Sequence, residues 1–150
     1  LYQQRRPSII AMLGEGALRR LLGTGIAADL PLSERLRARC RAAAITEAEN
    51  IAELMASEPM GLQLGLLVGS DPASSFLILR GRDKAQVCTG PFPADAPPGG
   101  TVGVGTVTAA DEAVSIHQRV AEASWREAVK GMAAAERVRE IIREAERVTA

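Results

Sequence analysis

The sequence predicts an α+β fold in which residues 1–150 form one domain. A four-stranded, mostly antiparallel sheet is flanked by an N-terminal and a C-terminal pair of helices. Three observations predict it. Apolar residues recur at helical spacing near both ends of the chain, whereas the middle carries short extended apolar runs between turn residues. In addition, 47% of the residues are hydrophobic and only 3% are aromatic, so an aliphatic core can form without disulfides.

Two helices are expected before the strands. Pro7 suits the first position of a helix, so residues 8–13 are predicted to be helical. Glycines interrupt this helix, and the helical pattern resumes over residues 17–22. A longer helix is expected from an N-cap at Ser33 to about residue 57. Its apolar stripe comprises Leu36, Cys40, Ala44, Ala48, Ile51 and Met55.

The middle of the chain changes to the pattern of strands. The expected strands cover residues 62–68, 76–80, 85–89 and 101–108. The connections between the first three are short and rich in turn residues. Since parallel neighbours need long crossover connections, we expect antiparallel pairing.

Two helices are expected after the strands. The first is opened by Thr108-Ala109-Ala110-Asp111, which matches a capping box with aspartate in place of the usual glutamate or glutamine, and it runs to about residue 129. Gly131 breaks the chain, and a last helix covers residues 134–148. The apolar stripe of this last helix offers a homodimer seam, and it equally suits packing within one chain. The seam residues are Val138, Ile141, Ile142 and Ala145.

Charge is distributed unevenly along the sequence. The first 41 residues carry eight arginines and three acidic residues, a net charge of +5, although the whole chain is neutral. In the long helix after Ser33, arginines occupy the first half and glutamates the second, the reverse of the order that the helix dipole favours. Two interpretations stay open: the arginines face a polyanion or an acidic partner, or they solvate helix faces.

Reactive side chains are few. His117 is the only histidine, and Cys40 and Cys88 lie far apart, so no metal site and no cofactor are expected. The run Gly14-Glu15-Gly16 follows an expected helix rather than a strand, and the glycines of residues 99–105 lead into no helix. Neither run therefore fits a phosphate-binding loop. We predict that the chain is not an enzyme.

One face of the expected sheet is a candidate ligand site. Gly103 and Gly105 are two residues apart in the last strand, so they share a face and leave it smooth. The walls of the site would be Arg80, Cys88, His117 and Trp125. The alternative is that the glycines admit a closely packed helix and that Trp125 anchors the core.

Three stretches together resemble the C-terminal domains that follow a helix-turn-helix in actinobacterial Xre-type regulators, including the antitoxin-like group. They are residues 13–23 (LGEGALRRLLG), 76–79 (FLIL) and 116–128 (IHQRVAEASWREA). The resemblance implies regulation through a bound partner or small-molecule effector, and it supplies no catalytic residues. Because the sequence begins at Leu1 rather than at methionine, we expect the DNA-binding module to precede it in a longer bacterial protein.

The leading hypothesis is thus a cytoplasmic sensing domain of a bacterial transcription regulator that touches DNA only through another domain. No run approaches the roughly 20 apolar residues of a membrane span, and no membrane partner is expected. The alternative is a small-molecule-binding protein or enzyme that uses a pocket on the sheet face. A homodimer built on the last helix is a third hypothesis.

Overall fold

The computed structural model describes residues 8–25, 30–69, 75–90 and 103–149. In order, its helices and strands are β1 Ile9–Gly14, α1 Glu15–Thr24, α2 Glu34–Ser57, β2 Leu62–Leu67, β3 Phe76–Arg80, β4 Ala85–Thr89, β5 Thr106–Thr108, α3 Asp111–Glu127, β6 Val129–Lys130 and α4 Gly131–Thr149. The α+β class is as predicted, and two helices precede β2 and two follow β5.

The prediction of a single four-stranded sheet is wrong. The described strands form two three-stranded sheets, a first sheet in the order β1-β2-β6 and a second sheet in the order β3-β4-β5. β2 was expected to pair with β3, but β1 and β6 occupy its two edges. Since the hydrogen-bonding edges of β2 are used in this way, β3 pairs only with β4.

The N-terminal segment was predicted to be helical, and this prediction is wrong. Residues 9–14 form β1, which pairs in parallel with β2 from Ile9 opposite Leu62 to Gly14 opposite Leu67. Two consecutive β-branched residues at its start favour an extended backbone. The two helices α1 and α2 form the long crossover that parallel neighbours require.

The second sheet has the antiparallel pairing that the short connections indicated. Ile78 of β3 lies opposite Val87 of β4, and Val87 lies opposite Thr108 of β5. The last strand was expected over 101–108, but β5 covers only its last three residues. Residues 101 and 102 lie outside the described part of the chain.

The core lies between α2 and α4, which pack together more extensively than any other pair of elements. Alanines at every fourth position of α2, namely Ala44, Ala48 and Ala52, are fully buried. Such small side chains let two helices approach closely. The predicted stripe on α2 is thus confirmed from Ala44 onward, whereas Leu36 at its start is exposed.

The apolar stripe of α4 packs within this chain. Val138, Ile141 and Ile142 are buried members of the core cluster, and Ala145 packs against it. A second copy would have to displace α2 to reach them, so the fold uses the stripe intramolecularly and not as the expected homodimer seam. α4 also begins three residues earlier than predicted, at Gly131, whose φ of 60° marks the expected break.

Gly65 of β2 is required by a close contact. An added Cβ at this position would lie 2.9 Å from the Cβ of Ala128 and 3.0 Å from Cζ3 of Trp125. Neither neighbour can bend away, because one is a methyl group on the backbone and the other an aromatic ring. We expect Gly65→Ala to lower the free energy of unfolding by about 1–3 kcal/mol, the usual effect of overpacking.

Chemical denaturation followed by Trp125 fluorescence would measure this change. The matched control is Gly23→Ala in α1, where an added Cβ meets nothing within 4 Å. That variant should be unchanged or more stable by up to about 1 kcal/mol. Equal stability of both variants would contradict the close packing of Trp125 on β2.

Candidate functional site

The ligand site expected from the sequence is divided between two faces of the second sheet. The His117 ring lies edge-on to the Phe76 ring, with centroids 5.0 Å apart and planes at 75°. Phe76 pairs with Thr89, and Cys88 is the next residue along β4. Because neighbours along a strand point to opposite faces, Cys88 lies on the face away from His117.

Trp125 lies at the other sheet. Its ring covers Gly65 of β2, and the ammonium group of Lys130 lies 4.9 Å from the ring centroid. The same ammonium group donates a hydrogen bond of 2.5 Å to the carbonyl oxygen of Trp125. Trp125 therefore links α3 to the first sheet.

The remaining expected site residues do not complete a pocket either. Arg80 is exposed at the end of β3. Gly103 and Gly105 precede β5, and an added Cβ on Gly105 would lie 3.2 Å from the backbone oxygen of Thr89. The six residues therefore lie apart: His117 near the middle of α3 and Trp125 near its C-terminal end, Arg80 at the end of β3, Cys88 on the face away from His117, and the two glycines ahead of β5.

The second sheet exposes an apolar face that sequence reasoning did not single out. We define the outer face as the apolar residues Leu77, Leu79, Cys88 and Val107, which point away from α3; the polar Gln86, opposite Leu79, is on the same side of the sheet. Leu77 is opposite Cys88, and Cys88 is opposite Val107. Leu77 is 56% exposed and Val107 is 64% exposed, whereas Val87 on the inner face is fully buried. Contiguous exposed apolar surface of this kind marks interaction sites.

Exposure alternates along β3. Phe76 and Ile78 are half-buried, while Leu77 and Leu79 are exposed. The sequence FLIL shows no polar side of the strand, so the pattern could not say which pair would be covered.

A buried carboxylate joins α1 to α4. Glu15 is the only buried charged residue in the described ranges, at 8% exposure. Its Oε1 accepts a hydrogen bond of 2.7 Å from Arg137 of α4, and it also accepts one of 2.9 Å from Arg19 of α1. Both arginines pair outward as well, Arg19 with Glu144 at 2.6 Å and Arg137 with Glu140 at 2.9 Å. The five side chains form one network of alternating charge.

This network lowers the pKa of two of its carboxyl groups. Hydrogen bonding from Arg137 lowers the pKa of Glu15 below its ordinary value of 4.5 despite the opposing effect of burial, and hydrogen bonding from Arg19 adds to the lowering. Arg19 likewise lowers the pKa of Glu144. Glu15 therefore stays ionised in the fold, and its charge holds the two helices together.

The run Gly14-Glu15-Gly16 lies at a strand-to-helix junction, which corrects the expectation that it follows a helix. Gly14 is the last residue of β1 and the N-cap of α1. This is where phosphate-binding loops place their anion. Here the Glu15 carboxylate itself supplies negative charge at the helix N-terminus, which the helix dipole stabilises. A second anion would be repelled, so the run still does not suit phosphate.

Glu15→Gln should destabilise the protein in a pH-dependent way. Since the pKa of Glu15 is lowered by folding, its stabilisation is present above pH 4.5 and is lost as the pH falls through the lowered pKa. We expect the variant to lose about 2 kcal/mol of unfolding free energy at neutral pH. The difference from the unmodified protein should shrink below about pH 4.5.

Denaturation curves at several pH values would test this expectation. The matched control is Glu34→Gln, because the carboxylate of Glu34 is largely exposed and lies 3.4 Å from Arg41. Such surface pairs contribute less than about 1 kcal/mol. A loss for Glu15→Gln that did not vary with pH would contradict the role of its charge.

Two further features are absent from the residues that the structure describes. No three or more of their His, Cys, Asp and Glu side chains are grouped closely enough to bind a metal ion. None of their helices combines the length and apolar character of a membrane span. Comparison of the chain with protein-family models, with curated proteins and with solved structures gives no significant match.

Proposed function

We propose that this chain is a partner-sensing domain of a bacterial transcription regulator that acts in the cytoplasm. It would work with a DNA-binding module outside this chain. The observation that carries the proposal is the outer face of the second sheet, an exposed apolar surface on a region that resembles the sensing domains of Xre-type regulators. We take a protein segment as its partner.

The shape of the outer face favours a protein over a small molecule. Small molecules are usually bound in concave sites that enclose most of their surface. The outer face is instead one side of a three-stranded sheet, with Leu77 and Val107 each more than half exposed. A partner that lays apolar side chains across the sheet fits this surface.

Basic residues at the edge of this face indicate which charge its partner would carry. The turn between β3 and β4 and the residues that flank it carry Arg80, Arg82 and Lys84 against the single acid Asp83, all exposed. A partner with acidic groups beside its apolar side chains would therefore be favoured.

α3 provides a connection between the second sheet and the core. Its histidine contacts Phe76 of the second sheet, and its tryptophan covers Gly65 of the first. A partner that shifts the second sheet would thus act on α3, and through Trp125 on the core. This is the arrangement that a sensing domain needs, since a signal must change contacts beyond its own binding site.

The alternative function, a small-molecule-binding protein or enzyme, has less support. It requires Arg80, Cys88, Gly103, Gly105, His117 and Trp125 to converge on one pocket. These residues do not converge, because the second sheet lies between Cys88 and His117 and because Trp125 lies at the first sheet.

Transcript profiling would test the proposed function in the source bacterium. Deletion of the gene should change the transcript levels of a defined gene set, and the unmodified gene should restore them. The variant Leu77→Lys/Val107→Lys should fold but fail to restore them, because it places two charges on the outer face. The control Val120→Lys, at an exposed position of α3, should restore them. Unchanged transcripts on deletion, or full restoration by the outer-face variant, would contradict the proposal.

DNA binding by residues 1–150 alone should be weak. The chain has no net charge, and nonspecific affinity depends on several clustered phosphate contacts. We expect a Kd above about 100 μM at physiological salt for a random duplex, near the weak end of nonspecific binding. A gel shift at physiological salt would measure it. Binding at about 1 μM or tighter would assign DNA contact to this chain itself.

A further inference from the structure

We propose that two copies of this chain associate through α2, with the two helices antiparallel across a two-fold axis. This inference does not depend on the proposed function. It starts from the charge order of α2: the exposed side chains of its first half include Arg35 and Arg39, and those of its second half include Glu49 and Glu53. Such a helix is complementary to a reversed copy of itself.

The outward side of α2 carries this complementarity. The buried positions of the helix, Ala44, Ala48, Ala52 and Met55, define the side that faces the core. At 100° per residue, Arg35, Arg39 and Glu53 lie on the opposite side. None of Arg35, Arg39, Glu49 and Glu53 has an ion pair with another residue in the described ranges.

The helix also exposes two leucines in matching positions. Leu36 is 41% exposed and Leu54 is 38% exposed. They are eighteen residues apart, which is about five helical turns, so they share one lateral position on the helix surface. Arg35 and Glu53 are also eighteen residues apart and share another lateral position.

A two-fold axis turns this spacing into contacts. In an antiparallel two-fold pair, each residue meets a residue at the same lateral position on the other helix, at an equal distance beyond the axis. An axis level with Ala44 and Ile45 sets Leu36 against Leu54 of the other copy and Arg35 against its Glu53. Both contacts occur twice. The outward residues near the axis are the small Ala42, Ala43 and Thr46, which allow close approach.

Charged side chains of α4 lie beside the acidic half of α2. Arg139, Arg143 and Glu146 of α4 line a groove beside Glu49 and Glu53. Neither arginine of this groove has an ion pair with the two glutamates. A parallel arrangement of the two helices would instead bring arginine against arginine and glutamate against glutamate, so repulsion favours the antiparallel one.

Charge reversal on purified protein tests the pairing by sedimentation equilibrium. The unmodified chain should dimerise, and its Kd should rise with ionic strength. Each of the variants Arg35→Glu/Arg39→Glu and Glu49→Arg/Glu53→Arg should raise the Kd at least about tenfold. Both variants follow the order that the helix dipole prefers, so they should keep the fold, which circular dichroism would check.

Mixing the two variants gives the decisive measurement. In a mixed pair, opposite charges meet at both ends of the helix, so the mixture should associate within about threefold of the unmodified protein. The variant that carries all four substitutions should likewise dimerise. Leu36→Gln should weaken the dimer, whereas Leu77→Gln on the outer face should not. A monomeric unmodified chain, reversals without effect, or a mixture that stays monomeric would overturn the proposal.

Discussion

The close contact between α2 and α4 is the constraint on which the rest of the structure depends. Fully buried alanines at every fourth position of α2 let the aliphatic side chains of α4, Val138 and Ile141 among them, pack directly against the helix surface. With so few aromatic residues, the chain builds its core from many small contacts rather than a few large ones. α1 and β2 then pack into the same core through Leu18 and Leu66. The α4 stripe is consequently part of the core, and any association with other molecules must use other surfaces.

The hydrogen bonds of Glu15 and the aromatic contacts of α3 orient the remaining elements on this core. The carboxylate of Glu15 accepts hydrogen bonds from both Arg19 and Arg137, so it connects the first turn of α1 to α4 across more than a hundred residues of sequence. A buried charge is tolerated only where such partners satisfy it. α3 lies on both sheets, since His117 contacts Phe76 and Trp125 covers Gly65. The second sheet is therefore held mainly by one helix, which leaves its outer face open.

The open surfaces are of two kinds, and they support two different proposals. The outer face of the second sheet is apolar with basic residues at one end, which suits a protein partner that carries acidic groups. The outward side of α2 is basic in its first half and acidic in its second, which suits a reversed copy of the same helix. The unfavourable placement of arginines at the helix N-terminus has a reason under this second proposal. Since surface ion pairs contribute little by themselves, the exposed leucines between them carry part of the association.

The sequence by itself determined the α+β class, the long helix with its alanine stripe from Ala44, the stripe of α4 and the antiparallel hairpin of β3 and β4. Each of these is expressed in local spacing, because periods of 3.6 and 2 residues reflect the geometry of one element. Only the tertiary structure decided that residues 9–14 form a strand, because the parallel partner of β1 lies some fifty residues away. It also decided which face of FLIL is covered, where Glu15 finds Arg137, and that the α4 stripe meets α2 rather than a second copy. Periodicity shows that a face is apolar, but the identity of what packs on that face is set by long-range contacts that no local pattern records.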